Sequence, residues 1–184
     1  NAVGGTDADV VVIATSLMTL IGGLVAATVP QGPARFPAAV FDPHQARRVL
    51  ANRGVRLASI GYFGHMWELY AMWGWFAVFF REHLEAAGQG SAATASFATF
   101  AVIGFGAAGC WVGGLLGDAW GRARTTLSMM VLSGACALTI GLAFGAPVWL
   151  VLSIGLIWGF TVVADSAQFS TMVTEYADQA YVGT

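Results

Sequence analysis

The sequence predicts an all-α integral membrane protein, a multi-span bundle with five transmembrane helices. Only 10% of its 184 residues are charged and 57% are hydrophobic, whereas an ordinary soluble domain carries about 25% charged residues. The apolar residues are grouped in five runs, each close to the length of about 20 residues that a helix needs to cross the hydrocarbon core. A soluble bundle would leave the apolar faces of these runs uncovered.

Composition also limits the kinds of partner that the chain is expected to bind and the reactions that it is expected to catalyse. All eight basic residues are arginines, and the formal net charge of -2 gives no reason to expect a nucleic-acid partner. Cys110 and Cys136 fall inside apolar runs, so we interpret them as small buried hydrophobes rather than a disulfide or metal pair. The sequence offers no metal-ligand cluster, no nucleophile with a paired base and no phosphate-loop lysine. We therefore predict neither an enzyme nor a cofactor.

The first run, Val10–Val29, is long enough to span a bilayer and ends sharply at Pro30. The polar stretch 30–56 follows, and we interpret it as a linker. Asp42 is a good N-cap and Gly54 a good stop, which predicts a short surface helix over Pro43–Asn52. The stretch holds Arg35, Arg47, Arg48, Arg53 and Arg56. These arginines serve either as a solvated, orientation-setting surface or as a contact for lipid or a partner.

The second run, Leu57–Phe80, is rich in aromatic residues and carries His65 and Glu68 in its interior. The third run, Ala95–Leu116, has no charge. Its small residues recur every four positions, which gives one smooth face for contact with another helix. These residues are Gly109, Gly113 and Gly117.

The fourth run, Thr125–Phe144, is joined to the fifth only by the tripeptide 145–147, so we expect these two helices to be antiparallel neighbours. The fifth run begins at Val148 and gains polar residues towards its end. If the spans alternate, seven of the eight arginines lie on one side of the membrane and Arg81 on the other. The positive-inside rule assigns the seven-arginine side to the cytoplasm.

Between the third and fourth runs lies a glycine-rich, charged turn over 113–124. It carries the ordered positions Gly114, Asp118, Gly121, Arg122 and Arg124. This order resembles the signature turn of major facilitator superfamily transporters, although Ala119 and Ala123 occupy two positions that are usually basic there. The stretch Gly61–Trp73 also resembles a helix seven found in bacterial members of that superfamily.

The resemblance implies a partial major facilitator fold, helices six to ten of twelve. Residues 1–29 would be the last helix of the N-terminal half, 30–56 the cytoplasmic central loop, and 57–184 four helices of the C-terminal half. We therefore expect an internal fragment, whose missing helices belong to the same polypeptide. The resemblance further implies transport of a small-molecule solute across a lipid bilayer by alternating access. A bacterial cytoplasmic membrane is the expected location.

Two acids, Glu68 and Asp165, lie well inside apolar runs. An aspartate at the centre of a membrane helix costs about 2.5–3.5 kcal/mol, so an interior acid indicates function. By the resemblance, both acids belong to helices that line the central cavity. A buried carboxyl group can exchange a proton near neutral pH, so we predict proton coupling through Glu68, assisted by His65 one turn away. Alternatively, Glu68 only hydrogen-bonds a neighbouring helix.

Asp165 and Gln168 share a face of the fifth run, and we predict that they bind the solute or join helices in one transport state. For the turn, the resemblance implies a cytoplasmic gating motif in which Asp118 and Arg122 lock helix ends while the cavity faces outward. Two alternatives to proton-coupled transport remain open: an uncoupled uniporter or organic-anion carrier, and a non-transporting membrane sensor or scaffold.

Overall fold

The structure is a computed structural model, and it describes residues 8–29 and 51–177. All regular structure in these residues is helical, which confirms the all-α class. The helices are α1 (Ala8–Ala27), α2 (Arg53–Ala86), α3 (Ala92–Trp120), α4 (Arg122–Ile140), α5 (Val148–Ala164) and α6 (Ser166–Tyr176). The surface helix predicted over Pro43–Asn52 falls, apart from its last two positions, outside the described residues.

In the described residues, four helical stretches are long and apolar enough to cross a membrane, which indicates an integral membrane protein. They are Asp9–Ala27, Ala92–Trp120, Arg122–Ile140 and Val148–Tyr176, the last comprising α5 and α6. The remaining predicted span, the second run Leu57–Phe80, lies in α2, which has ample length at 34 residues. Its aromatic and polar residues, His65 and Glu68 among them, keep its mean hydropathy below that of the other four.

Helix α2 begins one residue after Asn52, whose side chain caps it. The Asn52 Oδ1 atom accepts hydrogen bonds from the backbone N–H groups of Gly54 at 2.9 Å and Val55 at 3.3 Å. These are two of the donors that a helix start leaves unpaired. Gly54, which we interpreted as the stop signal of the preceding helix, lies in the first turn of α2. Asn52 Nδ2 also donates to the Tyr176 carbonyl at 2.8 Å and so ties the start of α2 to the end of α6.

A single residue, Gly121, separates α3 from α4. Its φ of 88° lies in the left-handed region that favours glycine, so the chain can reverse there without strain. This glycine therefore explains how the predicted charged turn can be so short.

Helix α3 packs most extensively against α5. A Cβ added at Gly106 would lie 3.0 Å from the carbonyl oxygen of Gly159, and one at Gly113 would lie 2.5 Å from that of Ala164. A Cβ at Gly109 would collide with the Phe160 carbonyl. The predicted small-residue face is thus a close helix crossing, and it brings the turn after α3 near α6.

The larger apolar core lies between α2, α3 and α5, with one residue, Ile140, from α4. Its buried members are Leu69, Met72, Phe76, Phe80, Leu84, Ala95, Val102, Ile140, Val151 and Val162. In contrast, every side chain from Asp9 to Val29 is exposed.

Candidate functional site

The interior acid of α2, Glu68, accepts two hydrogen bonds from two other helices. The indole Nε1 of Trp158 on α5 donates to Glu68 Oε1 at 2.9 Å, and the hydroxyl of Ser133 on α4 donates to the same oxygen. Both donors are neutral, so they stabilise the carboxylate without cancelling its charge. Glu68 therefore joins α2 to α4 and α5.

The second interior acid, Asp165, lies against His65 of α2. The His65 Nδ1 atom is 3.0 Å from Asp165 Oδ1, and each side chain is only 1% exposed. Among residues 8–29 and 51–177, Asp165 Oδ1 has no partner of hydrogen-bond geometry, so this is a close electrostatic approach rather than an aligned bond. On the other side of the ring, His65 Nε2 lies 2.7 Å from the Ser166 hydroxyl. One imidazole thus contacts two successive side chains.

Aromatic rings hold this imidazole in place. Its centroid lies 5.9 Å from that of Tyr62, in a stacked arrangement, and 5.6 Å from that of Phe169. A Cβ added at Gly61 would lie 2.8 Å from the Phe169 ring, so the glycine makes room for that ring. The packing fixes His65 in the orientation that meets Asp165.

The His65 contacts fall where the last membrane-length helix is interrupted. Helix α5 ends at Ala164 and α6 begins at Ser166, with Asp165 as the single residue between them. Asp165 keeps helical backbone angles, with φ -91° and ψ -14°, so the interruption is a local distortion of the span-length stretch Val148–Tyr176. An ionisable pair lies at this distortion.

The predicted pairing of His65 with Glu68 does not occur among the described residues. Each has partners on other helices: His65 contacts the α5–α6 break, and Glu68 contacts α4 and α5. The two polar groups are thus separate ties between α2 and the rest of the bundle.

Arg122 is the centre of a third polar group, at the end of the bundle that holds the charged turn. Its Nη2 lies 3.1 Å from Asp118 Oδ1, and its Nε lies 3.6 Å from Glu175 Oε1. Its Nη1 donates to Gln168 Oε1 at 3.1 Å. One guanidinium thus joins the end of α3 and the start of α4 to α6.

Gln168 belongs to this Arg122 group rather than to Asp165. Its Nε2 donates to the Gly113 carbonyl at 3.0 Å, and its side chain lies where a Cβ on Gly117 would be. The sequence analysis gave no role to Glu175. That residue lies seven positions after Gln168, on the same face of α6, and this spacing was the signal for it.

The other residues of the turn are less connected. Arg124 is exposed and forms no ion pair with a described residue. A Cβ added at Gly114 would meet nothing within 4 Å. Gly121 adopts the positive φ that allows the chain to reverse between α3 and α4.

An aromatic groove of about 500 Å³ runs along the outer side of α2. It is lined by Phe63, Met66, Trp67, Tyr70, Ala71 and Trp75. A smaller cavity of about 170 Å³ shares Ala71 and Trp75 with the groove and is also lined by Trp158. Because Trp158 donates to Glu68, this carboxylate lies one hydrogen bond from the wall of the second cavity.

The described residues contain no group of three or more His, Cys, Asp or Glu side chains that could hold a metal ion. Both cysteines are free, with Cys136 buried and Cys110 partly buried. The Cys110 thiol lies 3.5 Å from the Val163 carbonyl, next to the helix break.

Comparisons of this chain with protein-family models, with curated proteins and with solved structures gave no match.

Proposed function

We propose that this chain is part of a secondary active transporter of the major facilitator type, which moves a small solute by alternating access and couples that movement to protons. In this proposal α2 crosses the membrane as well, which brings the number of spans in the described residues to five. The loops after α1 and α3 face the cytoplasm of a bacterial cell.

One observation carries the proposal: both interior carboxylates form polar ties between α2 and the helices opposite it. Glu68 accepts from Ser133 and Trp158, and Asp165 approaches His65. Ionisable groups are expensive inside a membrane and are retained chiefly where they work. Here each of them lies at a contact that must change if α2 moves against α4, α5 and α6.

Protonation supplies a physical reason for such a movement. An ionised carboxylate accepts stronger hydrogen bonds than a neutral carboxyl group, so a proton on Glu68 weakens its ties to Ser133 and Trp158. A proton on Asp165 likewise removes the charge that attracts the His65 ring. A proton bound from one side of the membrane therefore favours the state in which α2 is released.

The Arg122 group fits the role of a gate at one end of the same bundle. It joins three helix ends, and Arg122 is partly buried, with 28% of its side chain exposed. Arginine can bind several acceptors at once, so loss of α6 contacts would break several interactions together.

The test is proton-driven uptake by the full-length protein in liposomes, screened over small polar metabolites. We expect the parent to accumulate a solute when a proton gradient is imposed. Glu68→Gln and Asp165→Asn keep size and hydrogen-bonding capacity but cannot carry the proton, so we expect each to uncouple or abolish gradient-driven uptake.

Glu85→Gln is the matched control for charge. Its carboxylate is also lost, but this side chain is 62% exposed and lies beyond the end of the predicted span, outside the groups of Glu68, Asp165 and Arg122, so gradient-driven uptake should persist. If Glu68→Gln and Asp165→Asn both leave the pH dependence of uptake unchanged, the proton-coupling proposal is wrong. If a well-folded parent moves no solute at all, transport itself is rejected in favour of a sensor or scaffold.

A further inference from the structure

A second buried histidine, His83, lies near the end of α2 that is remote from the Arg122 group. Helix α2 is 34 residues long, and Asn52 holds its other end at Tyr176 of α6. His83 follows Phe80, the last residue of the predicted span, yet its side chain is 0% exposed. A titratable group is thus enclosed close to a membrane surface, where the aqueous phase is near.

A hydrogen bond joins His83 to the connection between α4 and α5, residues 141–147. The backbone N–H of Gly145 donates to His83 Nδ1, with 3.3 Å between the two nitrogen atoms. The N–H groups on either side of Gly145 donate instead to the carbonyl groups of Gly141 and Ala143. The bond to His83 is therefore a polar tie between this connection and α2.

This bond fixes the protonation state of the His83 ring. A ring nitrogen that accepts a hydrogen bond carries no proton, so His83 is neutral and its proton lies on Nε2. Among the described residues, Nε2 has no hydrogen-bond partner. The rings of Phe80 and Phe144, whose centroids lie 6.2 Å and 5.7 Å from that of the imidazole, offer no lone pair. The site therefore accommodates the neutral imidazole that is protonated on Nε2.

No charged or titratable group faces His83 from the other described helices at this end of the bundle. Residues 87–109 and 137–164, which include the start of α3, the end of α4 and the start of α5, contain no Asp, Glu, Arg, Lys, His, Cys or Tyr. The charged residues beside it on α2 itself are all exposed: Arg81, Glu82 and Glu85. A positive charge on the enclosed ring would therefore lack a facing counter-charge, which makes it costly.

We propose that His83 is a pH-sensitive switch, in which uptake of a proton at Nδ1 breaks the bond from Gly145 and releases the α4–α5 connection from the end of α2. A protonated imidazole has two N–H donors and no acceptor, so it cannot keep this bond. Because only the released form holds the extra proton, a fall in pH favours release. Below about pH 6.5, where an ordinary histidine takes up a proton, the ratio of released to closed protein then rises by up to about tenfold per pH unit.

The inference goes beyond the proposed function, since it involves neither Glu68 nor Asp165. Its test measures the separation of α2 from the connection. Nitroxide labels are attached to Ala86→Cys and Leu142→Cys, both at exposed positions, in full-length protein that has no other cysteine and is held in lipid nanodiscs. We expect the dipolar coupling between the labels to weaken as the pH is lowered from about 7.5 to about 4.5, and to recover when the pH is raised.

Two replacements of His83 separate its titration from its packing. His83→Asn keeps an acceptor oxygen near the position of Nδ1 but cannot take up a proton, so the labels should stay close at every pH. His83→Phe fits among the aromatic rings but cannot accept the bond, so its label separation should also be independent of pH. The matched controls are Glu82→Gln and Glu85→Gln, which remove the titratable neighbours on α2 and should keep the response of the parent.

If His83→Asn fails to fold, ¹⁵N NMR of the imidazole rings still decides the question. The His83 signals, identified by their loss in His83→Phe, should show a proton on Nε2 alone at neutral pH and on both nitrogens at acid pH. The inference is overturned if Nδ1 carries the proton at neutral pH, if the label separation does not change with pH, or if the response survives either replacement of His83. No step of this test depends on solute flux, so a failure of the transport proposal would leave the inference standing.

Discussion

At Glu68, a single carboxylate oxygen accepts hydrogen bonds from two helices, so each donor should contribute measurably to stability. Ser133→Ala removes the hydroxyl donor at a side chain that is only 1% exposed. We expect the free energy of unfolding to fall by about 1 kcal/mol, which lies between the average for hydrogen bonds in membrane proteins and that for bonds to charged groups. Unfolding in mixed detergent micelles measures this change.

The control for that prediction is Ser153→Ala. Its hydroxyl is exposed and donates to the Trp149 carbonyl of its own helix at 2.7 Å, so its loss breaks no tie between helices. If Ser133→Ala is no more destabilising than this control, Glu68 does not anchor α2 through Oε1.

The sequence made the two interior acids recognisable, because any ionisable group inside an apolar run is costly. It could not supply their partners. Ser133 and Trp158 lie 65 and 90 positions from Glu68, and nothing local distinguishes them from other serines and tryptophans. The expected interaction of His65 with Glu68 relied on helical spacing alone, and tertiary packing gave each side chain other partners.

At the scale of whole helices, the close crossing of α3 on α5 can be tested with the same glycine-to-alanine substitution at two positions of α3. The two substitutions should differ in their effect on the free energy of unfolding. Gly109→Ala places a methyl group against the Phe160 carbonyl, so the helices must separate. We expect a loss of about 1–3 kcal/mol in the free energy of unfolding, as for overpacked cores. Gly104→Ala adds the same methyl group at a position where no atom of the described residues lies within 4 Å.

Gly104→Ala should therefore be neutral or stabilise the protein by up to about 1 kcal/mol, because alanine has the higher helix propensity. Equal effects of the two substitutions, measured by unfolding in mixed micelles, would contradict the close crossing. The glycine spacing predicted this contact face, but not its partner helix. The break at Asp165 had no glycine or proline to announce it, so sequence alone did not predict two helices there.

Across the whole molecule, polar ties hold α2 at two levels of the bundle, while the Arg122 group lies at one end of it. The ties of Glu68 to α4 and α5, and of His65 to Asp165, are interior, whereas Arg122 connects the α3–α4 turn to Gln168 and Glu175. Helix α6 connects the two regions, since it begins beside Asp165 and carries two of the three partners of Arg122, Gln168 and Glu175. A shift of α6 at the break therefore reaches the turn directly, as the proposed alternating access requires.

This connection predicts that Arg122→Gln opens the bundle at the end where the turn lies. Met172, only 6% exposed, lines a cavity of about 310 Å³ at that end and reports the opening when replaced by cysteine. In a background carrying Cys110→Ala and Cys136→Ala, a membrane-impermeant maleimide should label Met172→Cys in inverted vesicles faster once Arg122 is changed. If the lost contacts stabilise the closed state by about 1–2 kcal/mol, the population of the open state rises about five- to thirtyfold, as long as the closed state still predominates. Arg124→Gln removes an exposed arginine outside the Arg122 group, so it should leave the labelling rate unchanged. Equal labelling rates in the two variants would show that Arg122 is not a gate but only part of a tight turn.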